Sequence, residues 1–247
     1  MDRLIYTAVS GMNASMTRER MIASNMANAQ TIGFRVEVLR AQPVTLDGPQ
    51  LDVRAMSRAE VKGASMKEGA LTETGRPLDV ALTGDAMLAV QSLDGGEAYT
   101  RRGDLTVSLT GVVQNGEGLP VMGENGPLSV PPDAHVSIAP DGGVMVSDPA
   151  TPGNPPQRID RLKLVSTTGS PLEKDLAGVF RVPGGGALPV DENARVIPGS
   201  LEQSNVNPSE VLVDMIEAQR LFELRTKLVQ TAQQLDEGSS KLMRLDN

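Results

Sequence analysis

The side chains able to do acid–base, metal or nucleophilic chemistry are few and scattered. His135 is the only histidine and there is no cysteine, so neither a histidine relay nor a thiolate–imidazole metal set can be assembled. His135 follows Pro131-Pro132 in an alternating run, which reads as a surface or edge-strand position. Asp141-Gly142-Gly143 lacks the ligand ladder of a calcium loop. Gly184-Gly185-Gly186 is not followed by the Lys and Ser/Thr of a phosphate loop. Both read as turns. Asp191-Glu192 sets two carboxylates side by side, but neighbours on a strand face opposite ways. An acid–base pair would need distant carboxylates to converge. No cofactor or metal site is expected, and the chain is not expected to be an enzyme.

The remaining signals concern shape. With no Trp, 3 Phe and 2 Tyr in 247 residues, any core must be built from Val, Leu, Ile, Ala and Met. The 25 Gly and 17 Pro imply many turns and short strands, since Gly supplies positive φ and Pro removes a backbone donor. The formal charge is −8 with scattered basic residues, which argues against a nucleic-acid partner. Low aromatic content argues against the remote alternative of a secreted β-rich carbohydrate-active or carbohydrate-binding protein. The absent cysteine is compatible with export in an unfolded state and does not fix the compartment. The opening MDRLIYTAVSGMNASM has neither a basic leader nor a long apolar run, so neither a cleaved signal nor a membrane span is expected.

Three zones follow. From Leu4 to about Ala27, with Gly11 as the one strong helix breaker, Ile5, Val9, Met12, Met16, Ala23 and Met26 fall on alternating four- and three-residue steps. That spacing predicts a coiled-coil-like stripe, interrupted by Glu19. Near the other end, Asn207-Pro208-Ser209-Glu210 offers an Asn cap, a Pro at the first helical position and a Glu for a capping box. The helix it starts carries Val211, Met215, Ala218, Phe222, Val229 and Ala232 in the same rhythm, widened by Leu221, Leu224, Leu228 and Leu235. Gly238-Ser239-Ser240 is expected to loosen its last turns. Between the helices, PLDVALT, AMLAVQS, GDLTVSL and AHVSIAP alternate, bounded by Asp94-Gly95-Gly96, Asn115-Gly116, Asn125-Gly126 and Asp141-Gly142-Gly143, which are hairpin signals. The Pro-rich stretch 149–157 reads as a loop.

Two readings of the helices stay open. In one they cover the β-rich middle, or each other, within a monomer. In the other they pair with each other and with neighbouring copies. The second is favoured by Met- and Ala-rich stripes that adapt to varied neighbours, by a net positive start facing a net negative end, and by the amide-rich pieces ASNMANAQ and QTAQQ.

S-G-M-N-A from Ser10, S-N-M-A-N-A-Q-T-I-G-F-R ending at Arg35, and G-S-L-E-Q-S-N-V-N from Gly199 resemble the terminal signatures of the flagellar rod and hook protein family. MDRLIYTA, TGRPLDVALTGDAMLAVQ from Thr74 and the stretch from Tyr99 through Pro132 are similar to its proximal-rod members. Ser24 stands where the family usually has Asn, and Ala86-Met87 where it has Gly and an aromatic. The runner-up within the family is a distal-rod or hook-like paralogue, disfavoured because FRVEVLRAQPVTLDG lacks a distal-rod-like extension. The resemblance implies an α+β fold: a discontinuous inner domain from a helix within 1–35 and one within 201–247, an extended connector at 36–75, and a β-rich outer domain at 76–200. It implies a structural subunit of the flagellar rod, transmitting torque across the periplasm and leaving a channel for export. Its implied partners are copies of itself, proximal and distal rod proteins, and the flagellar type III export apparatus. The candidate subunit contacts are Ile5, Val9, Met12, Met16, Ala23, Asn25, Met26, Asn28, Gly33, Phe34, Val211, Met215, Ala218, Phe222, Val229 and Ala232.

Overall fold

A computed structural model describes residues 2–45, 55–131, 134–148, 154–175 and 177–245. The chain is α+β, with a long helix at each end and short strands between them. It divides into two units: Met1–Ala27, Glu37–Gly63 and Asn207–Asn247 form the first, and Asn28–Val36 with Ala64–Val206 the second.

In the first unit, α1 spans Asp2–Ala27 and α2 spans Pro208–Leu245. The start of α2 follows from its sequence: Asn207 Oδ1 accepts the N–H of Ser209 at 3.1 Å, the Asn207 carbonyl accepts Val211 N–H at 3.1 Å, and Pro208 is the first helical residue. The cap satisfies donors that the first turn would otherwise leave bare. The helix runs through Gly238-Ser239-Ser240 without a break. The stretch 36–75 holds more than an extended linker. Glu37–Thr45 and Ala55–Ala64 pair as a two-stranded sheet, and Leu71–Glu73 pairs with Ser200–Glu202. Strand conformation satisfies backbone donors that a bare connector would leave to water.

The second unit is a set of antiparallel sheets. The largest orders its strands Leu164–Ser166, Ala86–Gln91, Glu97–Thr100, Phe180–Arg181, Glu173–Lys174. Ala86–Gln91 is the alternating AMLAVQS run, and Ala86 through Val90 are all buried. One face (Leu88, Val90) joins the main core with Val80, Leu82, Leu105, Val121, Leu128 and Leu164. The other (Met87, Ala89) packs with Tyr99, Val165, Phe180 and Leu188. Sheets covered on both faces carry apolar residues throughout, and alternation then loses its meaning. The expected turns form where glycine permits positive φ: Gly95 at 83° between Ala86–Gln91 and Glu97–Thr100, and Gly142 at 82° between His135–Ile138 and Gly143–Ser147. Of the 149–157 loop, residues 149–153 lie outside the described residues and Gln157 begins the strand Gln157–Arg161.

Candidate assembly site

The helices of the first unit run antiparallel, because Arg18 of α1 lies 3.9 Å from both Asp214 and Glu217 of α2, while Gly11 and Ser15 meet Arg225. The Arg225 guanidinium donates to the Gly11 carbonyl and to Ser15 Oγ, and Ser15 is 2 % exposed. On α2 the inward line runs from Val211 to Val229. Val211 and Ala218 are buried, and Met215, Phe222 and Val229 half-buried. On α1 the inward line is Gly11, Ser15, Arg18, Ile22 and Asn25, with the same four–three steps but one residue before the predicted stripe, about 100° around the helix. Val9, Met16 and Ala23 are exposed, while Met12 and Met26 are half-buried. Apolarity was the sequence criterion for that stripe, whereas the seam is chosen by small residues and by the reach of Arg225. The interruption at Glu19 is explained by the same offset. Ile5 and Ala232 lie outside the residues whose side chains are described.

Asn25, 3 % exposed, works within the first unit. Its Oδ1 accepts the Glu37 N–H at 2.8 Å and its Nδ2 donates to the Glu37 carbonyl at 3.1 Å, imitating a strand partner. Ser24 Oγ donates to the Glu37 carboxylate at 3.2 Å. Serine at this position thus makes its own bond to the incoming strand. Asn28 accepts Thr31 N–H at its carbonyl (3.1 Å) and the Thr31 hydroxyl at Oδ1 (3.1 Å), shaping the turn after α1.

The second unit joins the two sequence motifs directly. Glu202, 1 % exposed, lies between Arg35 and Arg101, each 2 % exposed, with the shortest oxygen–nitrogen separations 2.8 and 2.6 Å. Gly33 donates to the Glu202 carbonyl at 2.8 Å, and Asn205 Oδ1 accepts the Val36 N–H at 2.7 Å. Gly33 has φ of 67°, and a Cβ there would lie 2.5 Å from the Arg101 carbonyl carbon. Glycine is therefore required twice, for conformation and for approach. Phe34 lies under the Lys174 ammonium, 3.5 Å from the ring centre, a cation–π contact. Burial pulls the Arg35 guanidinium below its ordinary pKa, opposed by Glu202 and reinforced by Arg101.

Gly33, Phe34, Asn25 and Asn28, expected as subunit contacts, make bonds within the chain here, and the sequence analysis did not single out Arg35, Arg101, Glu202, Asn205, Ser15 and Arg225. Arg35, Glu202 and Asn205 lie inside the quoted signatures, which was the available signal. His135 is exposed on an edge strand. Asp191 and Glu192 are not on a strand. Asp191 Oδ1 accepts Asn193 N–H at 2.9 Å and the Glu192 carbonyl accepts Arg161 and Arg195, which makes a turn. Among the described residues, no group of three or more His, Cys, Asp and Glu is arranged to hold a metal ion, and no helix is long and apolar enough to cross a membrane. Two terminal helices paired in one unit, with N- and C-terminal motifs joined on a β-rich unit, make this arrangement one for holding and assembling.

Three family models match in chain order: "Flagella basal body rod protein" over residues 5–35, "Flagellar hook protein FlgE/F/G D1 domain" over 81–146, and "Flagellar basal body rod FlgEFG protein C-terminal" over 197–242. The class is thus that of structural subunits of the bacterial flagellar basal-body rod. The flagellar basal-body rod protein FlgF of Salmonella typhimurium is 38 % identical over 98 % of this chain and 99 % of its own. FlgF of Escherichia coli is 40 % identical over 93 % of each. FlgG of Bacillus subtilis is 28 % identical over 95 % of this chain and 97 % of its own. The chain belongs to the FlgF family of flagellar basal-body rod proteins.

Proposed function

We propose that the chain is a proximal-rod subunit that transmits torque from motor to hook across the periplasm, with its terminal helices packing coiled-coil-like into an inner layer around an export channel. In this reading α1 and α2 supply the inner layer, and the β-rich unit, Asn28–Val36 with Ala64–Val206, the outer domain. Its partners are copies of itself, proximal and distal rod proteins, and the type III export apparatus that delivers it.

The observation that carries this reading is apolar surface left over on both helices. Leu224 and Leu228 are 59 % and 64 % exposed, and Val9 and Met16 each 38 %, although each helix already has a filled seam. Apolar rows of this kind on a folded surface mark protein contacts, and four–three spacing suits them to further helices.

Leu224→Asp and Leu228→Asp separate assembly from folding. Both side chains face water in the free chain, so stability is expected to change by no more than about 0.5 kcal/mol, while rod incorporation and swimming are lost. Glu223→Lys, exposed on the same turn, serves as control and leaves both intact. Normal motility in the two leucine variants would remove the helix face from the assembly.

A further inference from the structure

Two buried guanidinium groups meet Glu202 on unequal terms. Arg101 is fully satisfied: Nε and Nη2 reach Glu202 Oε2 at 2.8 and 2.6 Å, Nη1 donates to the carbonyls of Gly84 (2.7 Å) and Ala86 (2.6 Å), and Nη2 to that of Leu82 (2.8 Å). Arg35 is as buried, yet its one ionic contact is Nη2 to Glu202 Oε1 at 2.8 Å, an oxygen that also accepts Gly69 N–H at 2.8 Å. Its Nε and Nη1 are buried without a partner among the described residues. Glu202 is shared by two buried guanidinium groups, Glu68 adds only a weaker attraction on Arg35, and the shortfall in hydrogen bonds falls on Arg35. Unmade bonds on a buried cation raise the free energy of the closed state.

The backbone around Arg35 is held by separable bonds. Residues 28–36 belong to none of the described strands. Beyond the Gly33 and Val36 N–H bonds, Asn205 N–H reaches the Phe34 carbonyl at 3.3 Å, Lys174 Nζ the Arg35 carbonyl at 3.2 Å, and Ser65 N–H the Val36 carbonyl, where the strap ends, at 2.9 Å. Ser200–Glu202, by contrast, is paired along its length with Leu71–Glu73, and Gln203 N–H bonds Ala70 at 2.8 Å.

We propose that residues 31–36 form a releasable clasp, a strap that closes on the β-rich unit through Glu202 and opens from it while that unit stays folded. Opening hydrates the two orphaned nitrogens of Arg35, Nε and Nη1. Glu202 keeps Arg101, so no carboxylate is stranded by the release. Such an opening is a sub-global transition of low cost, and it gives the residues between α1 and Glu37 a second, undocked state.

Amide hydrogen exchange by NMR on the full chain tests the clasp. Gly33 and Val36 amides are expected to be about 100-fold less protected than Gly69 and Gln203, roughly tenfold for each unpartnered nitrogen. Arg35→Met removes the surplus cation and leaves Arg101–Glu202 neutral, so protection at Gly33 and Val36 should rise toward that of Gln203. Glu202→Gln leaves both cations opposite an amide and should abolish strap protection while Val90 and Tyr99 stay protected. Equal protection of Gly33 and Gln203 in the unaltered chain would overturn the clasp. So would an Arg35→Met variant whose strap exchanges faster than the unaltered one, because the cation would then be a net holder. If Glu202→Gln fails to fold, those two measurements decide by themselves.

Discussion

Arg225 of α2 donates to the hydroxyl of Ser15, a residue buried in the middle of α1. The pair fixes the rotation of α1 about its own axis, because a buried hydroxyl without a partner would cost about 1–3 kcal/mol. Arg225→Ala is expected to weaken the helix pair by that order and leave the β-rich unit unchanged. Circular dichroism melts, read against exchange in Ala86–Gln91, measure the two separately.

Gly11 lies in the same seam, and a Cβ there would meet Arg225 Nε at 3.9 Å, an ordinary contact. Gly11→Ala should therefore recover the helix propensity that glycine forgoes, about 0.5–1 kcal/mol. A higher urea midpoint for loss of helix is the expected result. A lower one would mean that Arg225 needs the space.

Gly33 and Gly75 have nearly the same φ, 67° and 71°, but a Cβ at Gly75 would have nothing within 4 Å. Gly75→Ala carries backbone strain alone, about 1 kcal/mol. Gly33→Ala adds a collision with the Arg101 and Arg102 backbone and should cost at least about 2 kcal/mol more, or eject the strap. Denaturation of the two variants side by side gives the difference.

Phe222 is half-buried in the seam facing α1 and Glu223 is exposed. Phe222→Asp brings a carboxylate toward an apolar seam and should cost on the order of 3 kcal/mol, lowering helix content in the free chain as well as ending rod incorporation. Glu223→Lys should change stability by about half a kcal/mol or less. A Phe222→Asp chain with unaltered helix content would place the whole effect in subunit contacts.

Tyr99 is buried beside Leu188 and Glu97, and its phenol is pushed up to about 12. Burial is the largest cause, the Leu188 N–H at 2.6 Å opposes it, and the Glu97 carboxylate at 2.9 Å raises it further. The folded state holds this proton more tightly than the unfolded chain, whose phenol titrates near 10. The resulting stability is fully present below pH 10 and is lost as pH rises toward 12. Tyr99→Phe removes that alkaline slope. Urea midpoints measured across this range in both chains provide the check.

Much of the framework is local and therefore legible. The Asn207-Pro208 start of α2 is set by a cap whose donors and acceptors lie within four residues. The turns at Gly95 and Gly142 are set by glycine's access to positive φ, and the α2 stripe Val211, Met215, Ala218, Phe222, Val229 by helical periodicity. What the tertiary structure decided are the relations between distant positions. The face α1 turns inward depends on Arg225 as well as on the small residues Gly11 and Ser15, and residues 2–27 do not encode that partner. That Arg35 and Arg101 share one carboxylate is decided where three segments far apart in sequence meet at Glu202. Burial of both faces of Ala86–Gln91 likewise depends on what the rest of the chain lays against it. Hydrophobic periodicity records only whether a face is apolar. Which partner covers it, and whether a polar residue there finds its complement, are fixed when separate segments meet.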